Sequence, residues 1–493
     1  MICIPITANN AEDARCDMEA ASKVADVIEL RIDYIKNPDL ERLLANRTKP
    51  VIVTNRPVRE GGRYEGNEDE RVAHLKQAIE NHADYVDIEH DSIHRIMSAG
   101  RGDSKGRTKI IVSYHNFRET PGDLMNIYQN LCRSEANIVK IVTQANTITD
   151  NIRIYQLLRN APKPTISFCM GEYGIVSRIL YRRFGSYLTF ASLRAGKESA
   201  PGQICIQELL NTYRILKQDK HTSIYGLIGN PVSHSIGPAI HNTLFREMDL
   251  NCIYVPFKVD NIADFIDTFK SLDVKGYSVT IPHKEAVIKH LDVLEPMAEK
   301  IGAVNTIVNR EGELIGFNTD CNAAVRALES VVTPEEAVKG KKVTLIGAGG
   351  AARAIAFGLK ERQASVTIIN RNHERAQALA GEVGCLSMKY DYPRAFETNI
   401  LINATPVGMF PHVNETPVAK DKLRSDMVVF DTIYNPLETR LMRDARSLGC
   451  KVVGGLSMFI YQAAAQFELW TNRQPSLELI EKIAIERLSQ KGG

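Results

Sequence analysis

Residues 136–145 read ANIVKIVTQA, and apart from its single lysine this stretch has the β-branched, apolar character of a buried strand. Seven other segments in the first 200 residues share that character: ICIPIT (2–7), VIELRID (27–33), VIVTNR (51–56), YVDIEH (85–90), KIIVSYH (109–115), PTISFCM (164–170) and YLTFASL (187–193). Most of the intervals between them carry helical patterns, for example DERVAHLKQAIENH. Eight repeats of strand and helix predict an α/β fold with an N-terminal (β/α)₈ TIM barrel.

The second half of the chain follows a different pattern. QICIQELLNTYRILK (203–217) is expected to be the last barrel helix, so the barrel is assigned to residues 1–217. The polar stretch QDKHT (218–222) is expected to be a linker. After a region of mixed strands and helices, short apolar strands alternate with helices from residue 341 onward, which is typical of a doubly wound parallel sheet.

Composition narrows the class of protein. The chain has 493 residues, of which 44% are hydrophobic and 24% charged. Its net charge of +2 does not indicate binding to nucleic acid or to a membrane surface. No apolar run approaches the roughly 18–20 residues of a membrane span. The N-terminus, MICIPITANN, has no targeting signal, and the nine cysteines include no C-x-x-C pair. We expect a cytoplasmic protein with reduced thiols, no metal site and small-molecule partners, whereas the oligomeric state stays open.

Ionisable residues are concentrated near the predicted C-terminal ends of five adjacent barrel strands. These residues are Glu29, Arg31 and Asp33, then Arg56 with Glu60 just after it, then Glu89 and His90, then His115, and then Lys140. A packed core does not need charged groups at one end of five strands, and this is the end at which TIM barrels carry catalytic residues. The alternative for Lys140 is a side chain that reaches solvent from an edge strand.

Lys140 is predicted to be an amine nucleophile. Desolvation disfavours the charged ammonium group of a buried lysine and favours the free amine. Attack on a ketone gives a Schiff base, which lets the adjacent carbon lose a proton and a β-hydroxyl depart. His115 is predicted to move these protons, with Glu89 orienting or polarising it. The alternative for His115 is a hydrogen-bonded structural histidine.

The segments ELRID, TNRPVREGG, SYHNF, VKIVTQA and SAPGQ, in this order and spacing, closely resemble the type I 3-dehydroquinate dehydratases over about residues 1–217. The resemblance implies that Lys140 forms the Schiff base and that His115 transfers protons. It also implies residues that hold the substrate's carboxylate and hydroxyls, namely Glu29, Arg31, Arg56, Arg178, Ser199 and Gln203. Asn116 stands where the family usually has aspartate, which affects only the fine tuning of His115.

VTLIGAGGAARA (343–354) combines a strand, a glycine-rich turn and the start of a helix. Gly347, Gly349 and Ala352 fit the dinucleotide fingerprint G-x-G-x-x-[GA], so the turn is expected to receive a pyrophosphate. The next strand ends in Asn370-Arg371 instead of an acid, and Arg375 follows. Two arginines favour a 2′-phosphate, which predicts NADP over NAD, although they are also compatible with an ordinary solvated helix start. The residues assigned to this cofactor are Gly347, Ala348, Gly349, Gly350, Ala351, Asn370, Arg371 and Arg375.

Lys284 in SVTIPHKEAV and Asp320 in GFNTDC are predicted to exchange a proton with a carbinol oxygen while hydride moves. Spacing alone leaves open whether they meet. GNPVSHS, VTIPHK, AVNT, NTD, GAGGAAR, NATPVGM and GGLSMFIYQAA are together similar to shikimate dehydrogenase over roughly residues 223–493. The similarity implies a substrate domain (223–320 with the helix 471–493), a Rossmann NADP-binding domain (321–470) and a Lys284–Asp320 pair at the reacting centre.

The same similarity implies further contacts. Thr280, Asn305, Tyr434 and Gln462 would contact the cyclitol, Ser235 its carboxylate, and Thr405, Thr432, Gly455 and Met458 the nicotinamide. The family usually has S-x-S before the proline, whereas this chain has Ser235-Ile236-Gly237. One hydrogen-bond donor worth about 1.5–3 kcal/mol is therefore missing unless Ser233 or water replaces it. The vacated space raises the hypothesis that quinate is also accepted.

Together these patterns predict a bifunctional enzyme of aromatic biosynthesis. The barrel would dehydrate 3-dehydroquinate, and the second half would reduce 3-dehydroshikimate to shikimate with NADPH. Two alternatives remain: a catabolic variant that oxidises quinate, and a metabolite sensor without turnover. Gly237 favours the first, and the presence of Lys140, His115, Lys284 and Asp320 disfavours the second.

Overall fold

The computed structural model describes residues 1–97, 108–233, 235–332, 338–390 and 397–491. The chain forms two compact units. The first comprises Met1–Ile224 and Asp249–Leu272, and the second Tyr225–Met248 and Asp273–Gly493. The domain boundaries expected from the sequence stay predictions.

The first eight strands of the barrel coincide with the eight predicted segments, and only β5 extends beyond its segment, by one residue. They are β1 (Ile2–Ile6), β2 (Val27–Arg31), β3 (Val51–Thr54), β4 (Tyr85–Glu89), β5 (Lys109–Asn116), β6 (Ile138–Gln144), β7 (Thr165–Met170) and β8 (Thr189–Ser192), followed by the short β9 (Ile204–Cys205). Neighbouring strands are parallel, in the order β7-β6-β5-β4-β3-β2-β1-β8-β9.

The arrangement of the strands is TIM-like, but in the described residues β7 and β8 do not pair as neighbouring strands. The hydrogen-bonded sheet is therefore not closed between them. One backbone hydrogen bond, from Tyr187 N to Thr165 O (2.7 Å), joins the segments at that place. Inside, the rings of Phe168 on β7 and Phe190 on β8 lie 5.7 Å apart. All eight strands contribute to one apolar cluster, with Cys3, Val27, Ile52, Tyr85, Ile111, Ile138, Ile166 and Phe190. Side-chain packing therefore closes the interior where the ladder does not.

Nine helices of the described barrel segments alternate with these strands. They are α1 (Ala11–Ser22), α2 (Leu40–Leu44), α3 (Glu68–Glu80), α4 (Ile93–Met97), α5 (Leu124–Cys132), α6 (Asp150–Arg159), α7 (Ile175–Ile179), α8 (Tyr181–Phe184) and α9 (Ile206–Asn211). The long final helix predicted over 203–217 is wrong. The chain there forms β9, then α9, and then a 3₁₀ turn entered through Arg214 in the left-handed conformation (φ 45°), which a continuous helix does not allow.

A second sheet contains β10 (Ser223–Gly229), β11 (Cys252–Lys258), β12 (Gly276–Val279), β13 (Val293–Leu294), β14 (Thr306–Arg310) and β15 (Glu313–Phe317). Their order is β11-β10-β12-β14-β15-β13, and the pairings of β14 with β12 and β15 are antiparallel. The helices of this region are α10 (Gly237–Glu247), α11 (Ile262–Phe269), α12 (Pro296–Ile301) and α13 (Thr319–Glu329). The region contains both strands and helices, as the sequence predicts, and its sheet mixes parallel and antiparallel pairings.

The third sheet is the predicted doubly wound one. Its strands are β16 (Lys342–Ile346), β17 (Ser365–Asn370), β18 (Leu386–Lys389), β19 (Ile400–Asn403), β20 (Val428–Asp431) and β21 (Lys451–Gly454). All are parallel, in the order β18-β17-β16-β19-β20-β21. The accompanying helices are α14 (Gly350–Glu361), α15 (His373–Val383), α16 (Arg440–Ser447), α17 (Gly455–Thr471) and α18 (Leu477–Lys491). Strand order reverses between β16 and β19, which is where such sheets bind ligands.

Two further properties bear on the sequence-based expectations. All nine cysteines are free thiols. Among the described helices, none is both long enough and apolar enough to cross a membrane.

Candidate active sites

A cavity of about 510 Å³, its open mouth included, lies at the C-terminal ends of the barrel strands. We call it the barrel cavity. Eight of the nine barrel residues predicted for the site line it: Glu29, Arg31, Arg56, His115, Lys140, Arg178, Ser199 and Gln203. The ninth, Glu89, is buried behind it. The parallel strands thus bring together residues that are far apart in the chain.

Lys140 lies inside the barrel on β6, with only 4% of its surface exposed. Its Nζ is 2.8 Å from Asp87 Oδ2 and 3.3 Å from Glu29 Oε1, and it lies 4.7 Å from the centre of the Phe190 ring. The alternative interpretation of Lys140, a side chain that reaches solvent from an edge strand, is therefore wrong. Two carboxylates lie beside the amine. Glu29 is predicted for the site from the sequence, whereas Asp87 is not.

Asp87 and Arg56 connect Lys140 to a larger buried charge cluster. Arg56 donates to Asp87 Oδ1 (2.8 Å), Glu89 Oε1 (2.5 Å) and Ser113 Oγ (2.8 Å). Burial disfavours the charged form of Asp87. The attraction of Arg56 and Lys140 nevertheless holds the pKa of Asp87 well below its usual range. Arg56 is predicted to contact the substrate, but its guanidinium group also has a structural role, because it already binds the carboxylates of Asp87 and Glu89.

The contact predicted between Glu89 and His115 is wrong. Glu89 binds Arg56 and, through Oε2, Arg71 Nη1 (2.6 Å). Glu60 takes the predicted place instead, with its Oε2 2.9 Å from His115 Nδ1. The sequence places Glu60 in the cluster of ionisable residues but predicts no role for it, because it lies in the loop after β3 and not on a strand.

Gly61 explains how that loop reaches His115. Its φ of 74° is left-handed, and a Cβ there would lie 2.2 Å from Phe117 Cζ. The Phe117 ring in turn stacks on His115 with 6.2 Å between ring centres. The glycine in the sequence REGG was the available signal, because only glycine allows both this turn and this close approach.

The environments of Glu60 and His115 shift their proton affinities in opposite directions. Burial, together with the carboxylates of Glu89 and Asp87, raises the pKa of Glu60 to about 8 against the effect of Arg56. Burial and the charges of Arg56 and Lys140 hold the pKa of His115 well below its usual value. Near neutral pH the pair therefore retains one proton between Nδ1 and Oε2. Such a pair can both give and accept a proton.

Arg178 is the least neutralised cation of the cavity. It is 1% exposed, its Nη2 reaches Pro201 O at 3.5 Å, and its Nε has no hydrogen-bond partner. The guanidinium lies 4.3 Å from the centre of the Phe168 ring, and among the described residues no carboxylate pairs with it. Burial lowers the pKa of Arg178 to about 10. An unpaired buried cation of this kind favours an anionic ligand.

The other predicted barrel residues are held in place by neighbours. Arg31 makes a bidentate pair with Asp33 (2.8 and 2.7 Å). Glu29 Oε1 accepts from Thr54 Oγ1 at 2.9 Å. Gln203 Oε1 accepts from Ser199 N (2.7 Å) and Ser199 Oγ (3.3 Å), so these two polar side chains form one unit beside the cavity.

In the second unit the structure brings Lys284 and Asp320 together, with Nζ 2.5 Å from Oδ2. Asp320 lies in the first turn of α13, directly after Thr319. The Asn305 side chain holds Thr319 by three hydrogen bonds, among them Thr319 N to Asn305 Oδ1 (2.8 Å) and Asn305 Nδ2 to Thr319 Oγ1 (2.9 Å). The pair left open by sequence spacing is thus a close contact, and Asn305 is 2% exposed.

The remaining residues predicted for the cyclitol follow strands or lie on α17. Thr280 follows β12 and donates its N–H to Ile228 O (2.9 Å). Tyr434 follows β20, with its ring 4.9 Å from that of Phe459, and burial raises its pKa. Gln462 on α17 accepts from Thr319 Oγ1 through its backbone carbonyl (3.4 Å). Ser233 is exposed, whereas Ser235 Oγ accepts from Gly237 N (3.1 Å).

A cavity of about 590 Å³, its open side included, lies where the strand order of the third sheet reverses. We call it the switch-point cavity. Six predicted cofactor residues line it: Gly347, Ala348, Gly349, Asn370, Arg371 and Thr405. Gly347 has φ 121°, and a Cβ there would lie 2.8 Å from Ala404 O, whereas a Cβ on Gly349 would meet nothing within 4 Å. The turn thus needs glycine at its first position and presents open backbone at its second.

The other predicted cofactor residues are placed around this cavity without lining it. Gly350 and Ala351 begin α14, and Arg375 lies in the first turn of α15. Arg371 and Arg375 are exposed, and neither has an acidic partner among the described residues. A Cβ on Gly455 would lie 2.2 Å from Thr432 O, so α17 begins in backbone contact with the end of β20. Met458 is 7% exposed in the adjoining core.

Comparison with protein families divides the chain in the same order. A model of type I 3-dehydroquinase matches residues 2–220, and one of the shikimate dehydrogenase substrate-binding domain matches 227–307. Models of shikimate/quinate 5-dehydrogenase and of the shikimate 5′-dehydrogenase C-terminal domain match 329–431 and 455–485.

Curated and solved relatives agree with these matches. The chain is 40% identical to the chloroplastic bifunctional 3-dehydroquinate dehydratase/shikimate dehydrogenase of Arabidopsis thaliana, over 98% of this chain and 84% of that protein. A crystal structure of shikimate dehydrogenase with NADP⁺ is 42% identical over 55% of this chain and 97% of its own, with a TM-score of 0.53. The Thermus thermophilus shikimate 5-dehydrogenase with NADP(H) and shikimate is 36% identical over 54% and 99%, with a TM-score of 0.50.

Proposed function

The chain belongs to the bifunctional 3-dehydroquinate dehydratases/shikimate dehydrogenases, and we propose that the barrel cavity and the switch-point cavity are where it binds 3-dehydroquinate and NADP(H). Its two activities are the dehydration of 3-dehydroquinate and an NADP-dependent shikimate dehydrogenase reaction of the shikimate pathway. The observation that carries the assignment of the barrel cavity is that it combines a buried lysine amine, a histidine–carboxyl pair and an unpaired buried arginine.

We assign the covalent step of dehydration to Lys140. Its ammonium group first passes a proton to a neighbouring carboxylate, of which Glu29 Oε1 lies 3.3 Å away, and the free amine adds to the substrate's ketone. The resulting carbinolamine loses its hydroxyl as water to give an imine. The imine withdraws electrons, so the adjacent carbon loses a proton and the electron pair forms an enamine. The enamine then expels the β-hydroxyl as water, and hydrolysis of the imine returns the Lys140 amine and 3-dehydroshikimate. One water is lost overall.

We assign the proton transfers of this sequence to His115. The sequence needs a group that gives a proton to the hydroxyl leaving the carbinolamine, then accepts one from carbon, and then gives it to the departing β-hydroxyl. His115 Nδ1 is held by Glu60, and Nε2 has no hydrogen-bond partner among the described residues. Glu60 therefore replaces Glu89 as the residue that orients the histidine.

The alkaline limit of dehydration should depend on Glu60. Above a pH of about 8 the pair has lost its proton before the reaction begins and can no longer give one to the hydroxyl that leaves the carbinolamine, so kcat of the wild type should fall as the pH rises through 8. The Glu60→Gln chain has no carboxyl to ionise, so its kcat should be lower and should lack this decline. A pH profile of kcat across neutral and alkaline pH measures both. Exposed Glu65, changed to glutamine, is the matched control, and an unchanged alkaline decline in Glu60→Gln would contradict the assignment.

Arg178 is proposed to bind the substrate carboxylate, since a guanidinium matches a carboxylate with two hydrogen bonds. Replacing it in Arg178→Met removes at least one charged hydrogen bond, worth about 1.5–3 kcal/mol. In steady-state assays of dehydration, the KM for the substrate should therefore rise at least about tenfold. Arg182→Met, at an exposed arginine nearby, is the control. Equal KM values for the two variants would remove Arg178 from the substrate site.

For the second reaction, the residues of the switch-point cavity fit NADP(H). The Gly347–Gly349 turn and the start of α14 would receive the pyrophosphate, and Arg371 with Arg375 the 2′-phosphate. When bound, the cofactor supplies the hydride. Lys284 and Asp320, in contact with each other, would supply the proton to the carbonyl oxygen of 3-dehydroshikimate. Thr280, Asn305, Ser235, Tyr434 and Gln462 are proposed to position the substrate, and Thr405, Thr432, Gly455 and Met458 the nicotinamide.

A second candidate activity is turnover of quinate, and the observation that favours it is Gly237. Residue 237 begins α10 with no hydroxyl, and its N–H already occupies one lone pair of Ser235 Oγ. The substrate carboxylate would therefore have one donor fewer, and the smaller residue would leave room beside it for an additional hydroxyl. NADP as cofactor disfavours a purely catabolic role.

Gly237→Ser tests this second activity. The added hydroxyl should raise the ratio of shikimate to quinate turnover (kcat/KM) by about tenfold, because it restores one charged hydrogen bond to the carboxylate and fills the space. Gly381→Ser, at an exposed glycine of α15 where a Cβ would meet nothing within 4 Å, is the control and should leave the ratio unchanged. If Gly237→Ser leaves the ratio as it is in the wild type, the hypothesis fails.

The cytoplasmic location expected from the sequence stays a prediction, because the Arabidopsis relative is chloroplastic.

A further inference from the structure

A chain of buried hydrogen bonds runs behind the switch-point cavity, from the start of α16 to the turn after β19. Its members Thr439, Asp431 and Asn403 have no exposed surface. At the cavity end the chain reaches Thr405, which lines the cavity together with Pro406 and Val407. Asp431 and Asn403 themselves do not line it.

Asn403 holds both ends of the turn 405–407. Its Oδ1 accepts from Thr405 N (3.0 Å) and Thr405 Oγ1 (2.7 Å). Its Nδ2 donates to Val407 O (3.3 Å). The direction of this one amide therefore determines whether the turn keeps its shape.

Asp431 determines that direction. A carboxylate only accepts hydrogen bonds. Oδ1 accepts from Asn403 Nδ2 (3.1 Å) and Ile433 N (3.2 Å), and Oδ2 accepts from Thr439 Oγ1 (2.7 Å). If the Asn403 amide turned over, its oxygen would face the carboxylate and its NH₂ would face the N–H of Thr405. Both contacts are repulsive, so the charged Asp431 permits one orientation only.

We propose that Asp431 is a positioning residue for the cofactor: through Asn403 it holds Thr405 and the turn 405–407 in the conformation that receives NADP(H). The inference rests on the proposed placement of NADP(H) in the switch-point cavity. Asp431 touches neither cofactor nor substrate, and its effect on binding passes entirely through Asn403.

The titration of Asp431 offers a readout that a purely structural role would not give. The groups that face its carboxyl are the Asn403 amide, the Ile433 N–H and the Thr439 hydroxyl, and none of these described groups is charged. Burial raises the pKa of Asp431 to about 6. The protonated acid can donate as well as accept, so below pH of about 6 it no longer dictates the direction of the amide.

The isosteric variant Asp431→Asn tests the proposal in the full-length chain. Its amide can also donate or accept, so the Kd of NADPH, measured by fluorescence titration at a pH of about 8, should rise about tenfold. The KM for shikimate should stay constant. The ratio of variant to wild-type Kd should approach one as the pH is lowered from about 8 to about 5. The 2′-phosphate of NADPH titrates at about 6 as well, but it does so equally with both proteins.

Two buried threonines provide a matched pair of valine variants. Thr439→Val removes the hydrogen bond to Asp431 Oδ2 and the one accepted from Met442 N at the start of α16. Thr398→Val likewise removes two bonds, to Lys342 O and Ile400 O, at the other end of β19. Only Thr439→Val should weaken NADPH binding, and it decides the question if Asp431→Asn does not fold. An unchanged NADPH Kd in Asp431→Asn, or equal weakening in the two threonine variants, would overturn the proposal. Failure of the wild type to bind NADPH would instead contradict the placement of the cofactor.

Discussion

The barrel site depends on the neutralisation of charge around a buried lysine. Lys140, Arg56 and Arg71 carry three positive charges, and Glu29, Asp87 and Glu89 carry three negative ones, all within connected contacts. Removing one partner of a buried ion pair costs about 3–5 kcal/mol, because the other charge is left without compensation. The charged side chain of Lys140 can therefore lie inside the barrel only while all six of these charged residues, which we call the set, are present. Arg178 is outside the set, which leaves a cation for the substrate.

The same geometric rule places both cavities. Parallel strands expose their carboxyl ends at one edge, and the loops that follow carry the polar residues. In the barrel this edge brings together Glu29, His115 and Lys140, and in the third sheet it brings the glycine turn to Thr405. In each case one residue controls the orientation of another. Asp33 orients Arg31 in the barrel, and Asp431 is proposed to orient Asn403 in the sheet.

Sequence patterns predicted the strands and most of the cavity-lining residues, because both follow from local regularities. Buried parallel strands are continuous apolar runs, and lysine or histidine within such a run is conspicuous. The long helix over 203–217 failed because apolar spacing does not reveal the left-handed Arg214. The role of Glu60 was not predicted for a different reason: its contact with His115 depends on a loop conformation set by Gly61 and Phe117. Asp87 was overlooked since a carboxylate in a strand gains its role only from neighbours far away in the chain.

The most direct test of these assignments is a single reaction mixture that contains 3-dehydroquinate, NADPH and the full-length protein. NADPH consumption is followed by absorbance, and the product is identified by mass, for the wild type and for Lys140→Ala. We expect shikimate from the wild type and no shikimate from Lys140→Ala, which should still reduce added 3-dehydroshikimate. Shikimate formed from 3-dehydroquinate by Lys140→Ala at the wild-type rate would contradict the assignments, because dehydration would then proceed without Lys140.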